Sequence, residues 1–298
     1  MKILVSGLLN TETTAAVRGF PIQYYPIDYP FFGVSTAVSG VAFNIAKALR
    51  TLGDDILLTS MTGNDYPAAY IRDTLRQLGI GTEYVRPALR QTPGSVVLYD
   101  PEGRRQIYCD LKDIQETSYA FDSDCLDGID LVVACNINFN RPLLRMAKAA
   151  GKRIATDVHV LSDIHDTYNR EFMECADILF LSDEGIGRNY EDFLLQLART
   201  YGSEIIVLGR GDKGAAMYLR QTDRILQMPA AQAGPVTNTV GAGDALFSAF
   251  VHFYARGLAP WEALQRAQLF AACKITVSGA SNGFVTEQTL EDMCSNNQ

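Results

Sequence analysis

The residues best equipped for chemistry stand together at Thr237-Asn238-Thr239-Val240-Gly241-Ala242-Gly243-Asp244, directly ahead of the apolar run Ala245 to Val251. Three small residues let the backbone approach a ligand closely, and a run that is apolar almost all round reads as a buried helix. The free N–H groups in the first turn of such a helix, reinforced by its dipole, form a site for an anion. An acid there can be only a favourable helix-start charge. Glycines, turn, acid and buried helix in succession point further, to phosphate chemistry with the base Asp244 beside it.

Two other segments carry weaker signals. Ala42, Ile45, Ala46, Leu49 and Leu52 recur at helical spacing and Gly53 ends the run, so the spacing predicts an amphipathic helix with Asn44 in its first turn, after Ser39-Gly40. Taken alone, that amide reads as a cap or a solvent-facing group. Gly209-Arg210-Gly211-Asp212-Lys213-Gly214 matches G-x-G-x-x-G after a strand at Ile205–Leu208. The residues beyond Gly214 are strand-like (Ala215 to Arg220, then Arg224 to Met228), so the segment reads as a nucleotide-lining turn between two strands rather than a dinucleotide fingerprint.

These residues need a scaffold, and the chain supplies an alternating one. Strands are expected at Ile129–Cys135, Arg153–Val158, Asp177–Leu181 and Ile205–Leu208, with helices at Arg141–Ala150, Tyr168–Cys175 and Glu191–Thr200. Continuous apolar strands between helices mean a parallel sheet covered on both faces, with function at the strands' carboxyl ends. Two aromatic, β-prone stretches break the pattern, Phe20–Phe32 and Gly94–Leu111. The second reads as a hairpin turning at Asp100-Pro101-Glu102-Gly103. Neither is succeeded by a crossover helix, so a small β flap beside the α/β body is expected.

The 298 residues are 47% hydrophobic, 20% charged and 10% aromatic, which excludes wholesale disorder, a collagen-like repeat and a coiled-coil rod. The length allows two domains, or one large α/β domain with an appendage. A net charge of −8 without blocks of like charge argues against nucleic-acid and anionic-membrane partners. No apolar run approaches the roughly 18 to 20 residues of a membrane span, and Met1–Asn10 is too short an apolar stretch for a signal peptide. A cytoplasmic protein is expected. The six cysteines show no C-x-x-C pair and no metal-like grouping with His159, His165 or His252, so reduced, mostly buried thiols and no structural zinc are expected.

Together these segments resemble the ribokinase-like (PfkB) carbohydrate and nucleoside kinases, over nearly the whole chain. Thr239 to Asp244 is similar to the late family signature, Ser39 to Asn44 with Ala46 and Leu52-Gly53 to the early one, and Arg210 to Ala215 to the nucleotide-side glycine turn. The resemblance implies an α/β chain: a three-layer α/β/α body with a mainly parallel central sheet and a small β lid, one domain over 1–298 with lid insertions at about 11–36 and 92–112. It implies transfer of the ATP γ-phosphate to a hydroxymethyl group. Asp244 would be the general base, the backbone N–H groups of Gly241, Ala242 and Gly243 would stabilise the phosphoryl charge, and Mg2+ would ride on the ATP phosphates. Glu12, Gly40 and Asn44 fall at substrate positions. Arg210, Gly211, Gly214, Gln268 and Asn282 fall at nucleotide positions, with Gly283 closing the same edge as Asn282. Tyr24, Tyr25, Tyr99 and Tyr108 are lid residues placed to exclude water, and the exposed flap strands imply a homodimer through the lid.

Departures from the pattern qualify this. Asn238 stands where the family has an acid that supports a monovalent cation, which puts potassium activation in doubt. Ser182-Asp183-Glu184-Gly185 lacks both named residues of the family's N-x-x-E magnesium motif, leaving Asp183 or Glu184 to supply a carboxylate from a neighbouring position. The leading expectation is a kinase acting on a sugar's primary hydroxyl. A nucleoside kinase, with Phe20–Phe32 stacking on a base, and a non-catalytic ligand-binding pseudokinase are the alternatives.

Overall fold

A computed structural model describes residues 1–122, 124–187 and 189–296. The chain begins with β1 (Lys2–Ser6), β2 (Asn10–Ala16), β3 (Val34–Ser39), α1 (Val41–Thr51), β4 (Asp55–Thr62), α2 (Tyr66–Gln77), β5 (Val85–Pro87), β6 (Gly94–Tyr99) and β7 (Arg105–Asp110). Strands and helices then alternate as β8 (Leu131–Ala134), α3 (Arg141–Ala149), β9 (Arg153–Val160), α4 (Arg170–Cys175), β10 (Ile178–Ser182), α5 (Tyr190–Tyr201) and β11 (Ile205–Gly209). A hairpin, β12 (Ala215–Leu219) and β13 (Arg224–Met228), precedes α6 (Ala242–Ala255), α7 (Pro260–Lys274) and α8 (Glu287–Asn296).

Nine strands form the main sheet in the order β13-β12-β11-β10-β9-β8-β1-β4-β5. Every pairing from β11 across to β5 is parallel, and the β12–β13 hairpin is antiparallel. The side-chain period of two splits each inner strand between the layers: Ile3, Val5, Leu131 and Val133 pack with Phe43, Leu49, Phe247 and Phe270. Leu4, Val132 and Ala134 face the other way, onto Leu143, Phe172 and Leu197. The result is an α/β/α sandwich. Its strand order reverses at β1, whose neighbours are β4 on one side and β8 on the other, and such a switch point opens a crevice at the carboxyl ends.

Four further strands form a separate sheet, the lid, in the order β3-β2-β6-β7. Its register decides which side chains share a face. Glu12 pairs with Ala37 and Ser95, and Ser95 with Cys109, so these lie in one row on one face. Two rows on, the same face carries Tyr99 and Arg105, which are paired with each other; Tyr108 belongs to the opposite face. The expected hairpin of Gly94–Leu111 is β6 and β7. Phe20–Phe32, in contrast, is not β structure: the strands are its flanks, β2 and β3, and the aromatic stretch is the exposed loop between them. Pro21, Pro26 and Pro30 explain the correction, since each removes a ladder donor. All six thiols are free, and Cys109 on the lid is exposed.

Candidate active site

The site is built on the first turn of α6. Gly241 caps that helix at φ 79, where a Cβ would lie 2.0 Å from the carbonyl oxygen of Ala280, so only glycine passes there. Gly243 differs, because a Cβ built on it meets nothing within 4 Å. The protein's own packing does not need it small; its bare Cα leaves the helix start open to an outside group. Among the described residues the N–H groups of Gly241 and Gly243 donate to no acceptor, whereas that of Ala242 donates to Thr239 O at 3.1 Å. Of the three amides expected to face a phosphoryl group, Ala242 is therefore engaged inside the turn.

The turn is fastened on all sides. Asn238 Oδ1 accepts from the Val240 N–H at 2.7 Å, and the N–H groups of Thr237 and Asn238 donate to Ile275 O at 2.8 and 3.1 Å. Lys274, wholly buried at the end of α7, donates from Nζ to Asn238 O at 3.3 Å. From the lid, Arg105 donates to Thr239 Oγ1 at 3.3 Å.

Asp244 accepts a hydrogen bond at 2.7 Å from Asn44 Nδ2, across 200 residues of chain. Two helix starts that look ordinary separately thus meet. Burial pushes the Asp244 carboxyl above its ordinary value, with Asp157 adding to the rise, while His159, the Asn44 bond and Lys274 pull it down. The dipole at the start of α6 favours an ionised acid; desolvation outweighs it. His159, next to last in β9, takes φ 58, its N–H donating to Asp157 Oδ1 at 2.7 Å. Cys135, just past β8, has its thiol raised by burial and then by Asp244 and Asp157. Asp244 thus stands over the carboxyl ends of β8 and β9, next to the switch point.

On the lid side, burial raises the Glu12 carboxyl, and Ser39, Ser95 and Lys274 lower it in part; Ser39 Oγ donates to Glu12 Oε2 at 3.4 Å. Gly40 takes φ 103 as the chain enters α1, where a Cβ would lie 2.5 Å from Leu8 O, so its smallness is required by the fold itself. The side-chain carbonyls of Asn10 and Asn44 are buried without a partner among the described residues.

On the other side, Arg210, Gly211 and Gly214 form the turn between β11 and β12, and a Cβ on Gly214 would lie 2.0 Å from Met228 O. The Arg210 guanidinium sits 4.0 Å over the Tyr190 ring, yet its buried Nε finds no acceptor among the described residues; nor does buried Gln268 Nε2 on α7. Asn282 donates to Ser278 O at 3.0 Å and accepts from Lys47 at 3.5 Å. Asp183 comes directly after β10 with its N–H on Gly209 O at 3.0 Å, and Glu184 is exposed. Among the described residues no three His, Cys, Asp or Glu side chains gather into a metal cage.

The sequence profile of the pfkB family carbohydrate kinases matches residues 2–287. The chain belongs to the PfkB family. It is 31% identical to a deoxyribokinase of Salmonella typhi over the full length of both proteins. It is 24% identical to the fructosamine kinase FrlD of Bacillus subtilis, over 93% of this chain and 95% of that one. The structure of Arabidopsis thaliana ribokinase complexed with ribose and ATP superposes with a TM-score of 0.82 at 19% identity, over 98% of this chain and 97% of that chain. This carbohydrate kinase therefore has the ribokinase-like fold. No helix among the described residues is long and apolar enough to cross a membrane.

Four residues of the site escaped the sequence. Asp157 and His159 had a readable signal, polar groups at the carboxyl end of an expected strand. Lys274 left a fainter one, a single charge closing the small-residue stretch Ala271-Ala272-Cys273. Arg105 left none, because the register that turns it toward Thr239 is a property of the folded lid.

Proposed function

We propose that this kinase moves the γ-phosphoryl group of ATP to a primary hydroxyl of a sugar, with Asp244 taking the hydroxyl proton. The observation that carries the proposal is the 2.7 Å bond from Asn44 to Asp244, which sets a carboxylate beside the open amides of Gly241 and Gly243. Asn10 and Asn44 keep unpartnered buried carbonyls among the described residues, and Glu12 adds a carboxylate. All are acceptors, and sugar hydroxyls are donors that satisfy them. A nucleoside base would want an aromatic shelf. The Phe20–Phe32 stretch is instead exposed, with Tyr29 and Phe31 stacked on each other at 6.4 Å.

In this reading Arg210, Gly211, Gly214, Gln268 and Asn282 hold the nucleotide, the orphaned donors of Arg210 and Gln268 meeting its acceptors. ATP would supply the phosphoryl group, and a bound Mg2+ would offset charge on the phosphate oxygens. The ion would be held largely by those phosphates, with Asp183 the better-placed carboxylate and Glu184 facing solvent. Asp244 accepts the proton as the hydroxyl attacks, Asn44 orients its carboxylate, and the Gly241 and Gly243 amides receive the developing charge. Tyr99 and Arg105, on the lid face shared with Glu12, help to exclude water.

The test is ADP release over a panel of sugars, amino sugars and nucleosides with wild type and Asp244→Asn. The variant should lose about 10²- to 10⁴-fold in kcat while calorimetry shows near-normal ATP binding. Retention of most activity would remove Asp244 from the role, and transfer to nucleosides alone would reverse the choice of acceptor.

A further inference from the structure

We infer that Lys274 is a positioning residue for phosphoryl transfer: its ammonium is a resident cation that fastens the Thr237–Gly241 turn to α7 and faces Asp244 from inside the protein. The inference rests on the kinase reading above. Lys274 is among the largest fully buried side chains, at 0% exposure. An ammonium has three donors, and among the described residues the acceptor that this one reaches is Asn238 O at 3.3 Å. As a space-filler it would be a poor choice, because a buried charge with so little compensation is costly where an apolar side chain of equal length is not. Its position explains its retention. The carbonyl it holds belongs to the turn that presents the Gly241 and Gly243 amides, and the backbone N–H of that same Asn238 is held from the next residue of α7's end, by Ile275 O at 3.1 Å.

The charged groups facing it come from three elements. Asp244 on α6 and Glu12 on β2 favour the protonated amine, and Arg105 on β7 opposes it. Burial dominates and pushes the amine down to about 8. At neutral pH the ammonium is present and lowers the proton affinity of Asp244. Above about pH 8 the charge is lost, so the hold on the turn weakens to that of a neutral amine and Asp244 loses a stabilising neighbour.

The experiment compares wild type, Lys274→Met and Lys274→Arg. Lys274→Met should lose about 30-fold or more in kcat with KM for the sugar within about threefold, as expected when an interaction acts mainly in the transition state. Ammonium chloride should restore part of that rate and choline chloride none, since only the small cation fits the vacated ammonium position. Wild-type kcat should fall above about pH 8, and Lys274→Arg, whose guanidinium does not titrate there, should keep its rate at higher pH. Should the arginine not fit the buried position, the methionine variant and its rescue decide alone. Lys274→Met with kcat within about threefold of wild type overturns the inference, and so does a loss that ammonium does not relieve. A wild type that transfers to no acceptor defeats the kinase reading instead. In that case calorimetry with ATP tests Lys274 separately: affinity should be about tenfold weaker in Lys274→Met at pH 7, and equal affinities overturn the inference.

Discussion

Replacing Lys274 by methionine should make the protein more stable and less active at once. Burial holds the amine at about 8 where an ordinary lysine has 10.5. At about 1.4 kcal/mol per tenfold change in proton affinity, the folded state is destabilised by roughly 3 kcal/mol at neutral pH for keeping that charge. Methionine is one heavy atom shorter, keeps most of the apolar stem and its burial, and removes the ammonium. Against the gain stands the lost hydrogen bond to Asn238 O, about 1 kcal/mol, so Lys274→Met should exceed wild type by about 2 kcal/mol at pH 7. The pH dependence follows from proton counts. Because the fold lowers the amine's affinity, the unfolded chain binds more protons between about pH 8 and 10.5, and wild-type stability rises through that window. The variant's advantage is therefore full below pH 8, shrinks through that window and gives way to a small deficit by 10.5, where only the lost hydrogen bond remains. Tyr119 and Tyr254, both pushed up to about 12 by desolvation, act with the opposite sign, since their contribution falls as pH climbs from 10 toward 12. They cancel in the difference between variant and wild type, which is the quantity to measure by urea unfolding at about pH 7, 8.5 and 9.5. A variant less stable than wild type at pH 7, or a difference that stays flat across the three values, refutes the reasoning.

Further outcomes rest on single contacts. Asn44→Ala removes a bond that lowers the Asp244 carboxyl, so the acidic limb of kcat/KM should move to higher pH; an unmoved limb would mean that Asn44 does not tune the base. Gly241→Ala, forced against Ala280 O, should lose about 2 kcal/mol or more of stability, read as a lower Tm. Gly243→Ala meets no protein atom and should melt at or above the wild-type temperature while losing transfer activity. Equal losses of stability in the two alanine variants would show that Gly243 is structural after all.

Much of the scaffold was legible because it obeys simple periodicity. The expected strand at Ile205–Leu208 is β11, the expected helix at Glu191–Thr200 is α5 within one residue at each end, and Gly53 lies just past α1 at φ 96. The G-x-G-x-x-G segment does join two antiparallel strands. The lid was half legible. Aromatic content drew attention to Phe20–Phe32, whereas the strand β2 is Asn-Thr-Glu-Thr-Thr-Ala-Ala, polar enough to pass for a loop. A strand on a lid needs only one covered face, and Thr serves that geometry without hydrophobic bulk.

The sequence by itself determined the family and the order of chemical parts, because glycine turns, a helix-start acid and an apolar helix are local features that one stretch of chain can spell out. It could not determine protonation or partnership. Only the tertiary structure brought Asn44 onto Asp244, turned Tyr99 and Arg105 inward and Tyr108 outward, and raised the Asp244 carboxyl through burial. It also buried Lys274 beneath the turn. The reason is physical: desolvation and charge pairing depend on distance through space, and residues 200 positions apart in the chain meet only when the two helix starts have packed.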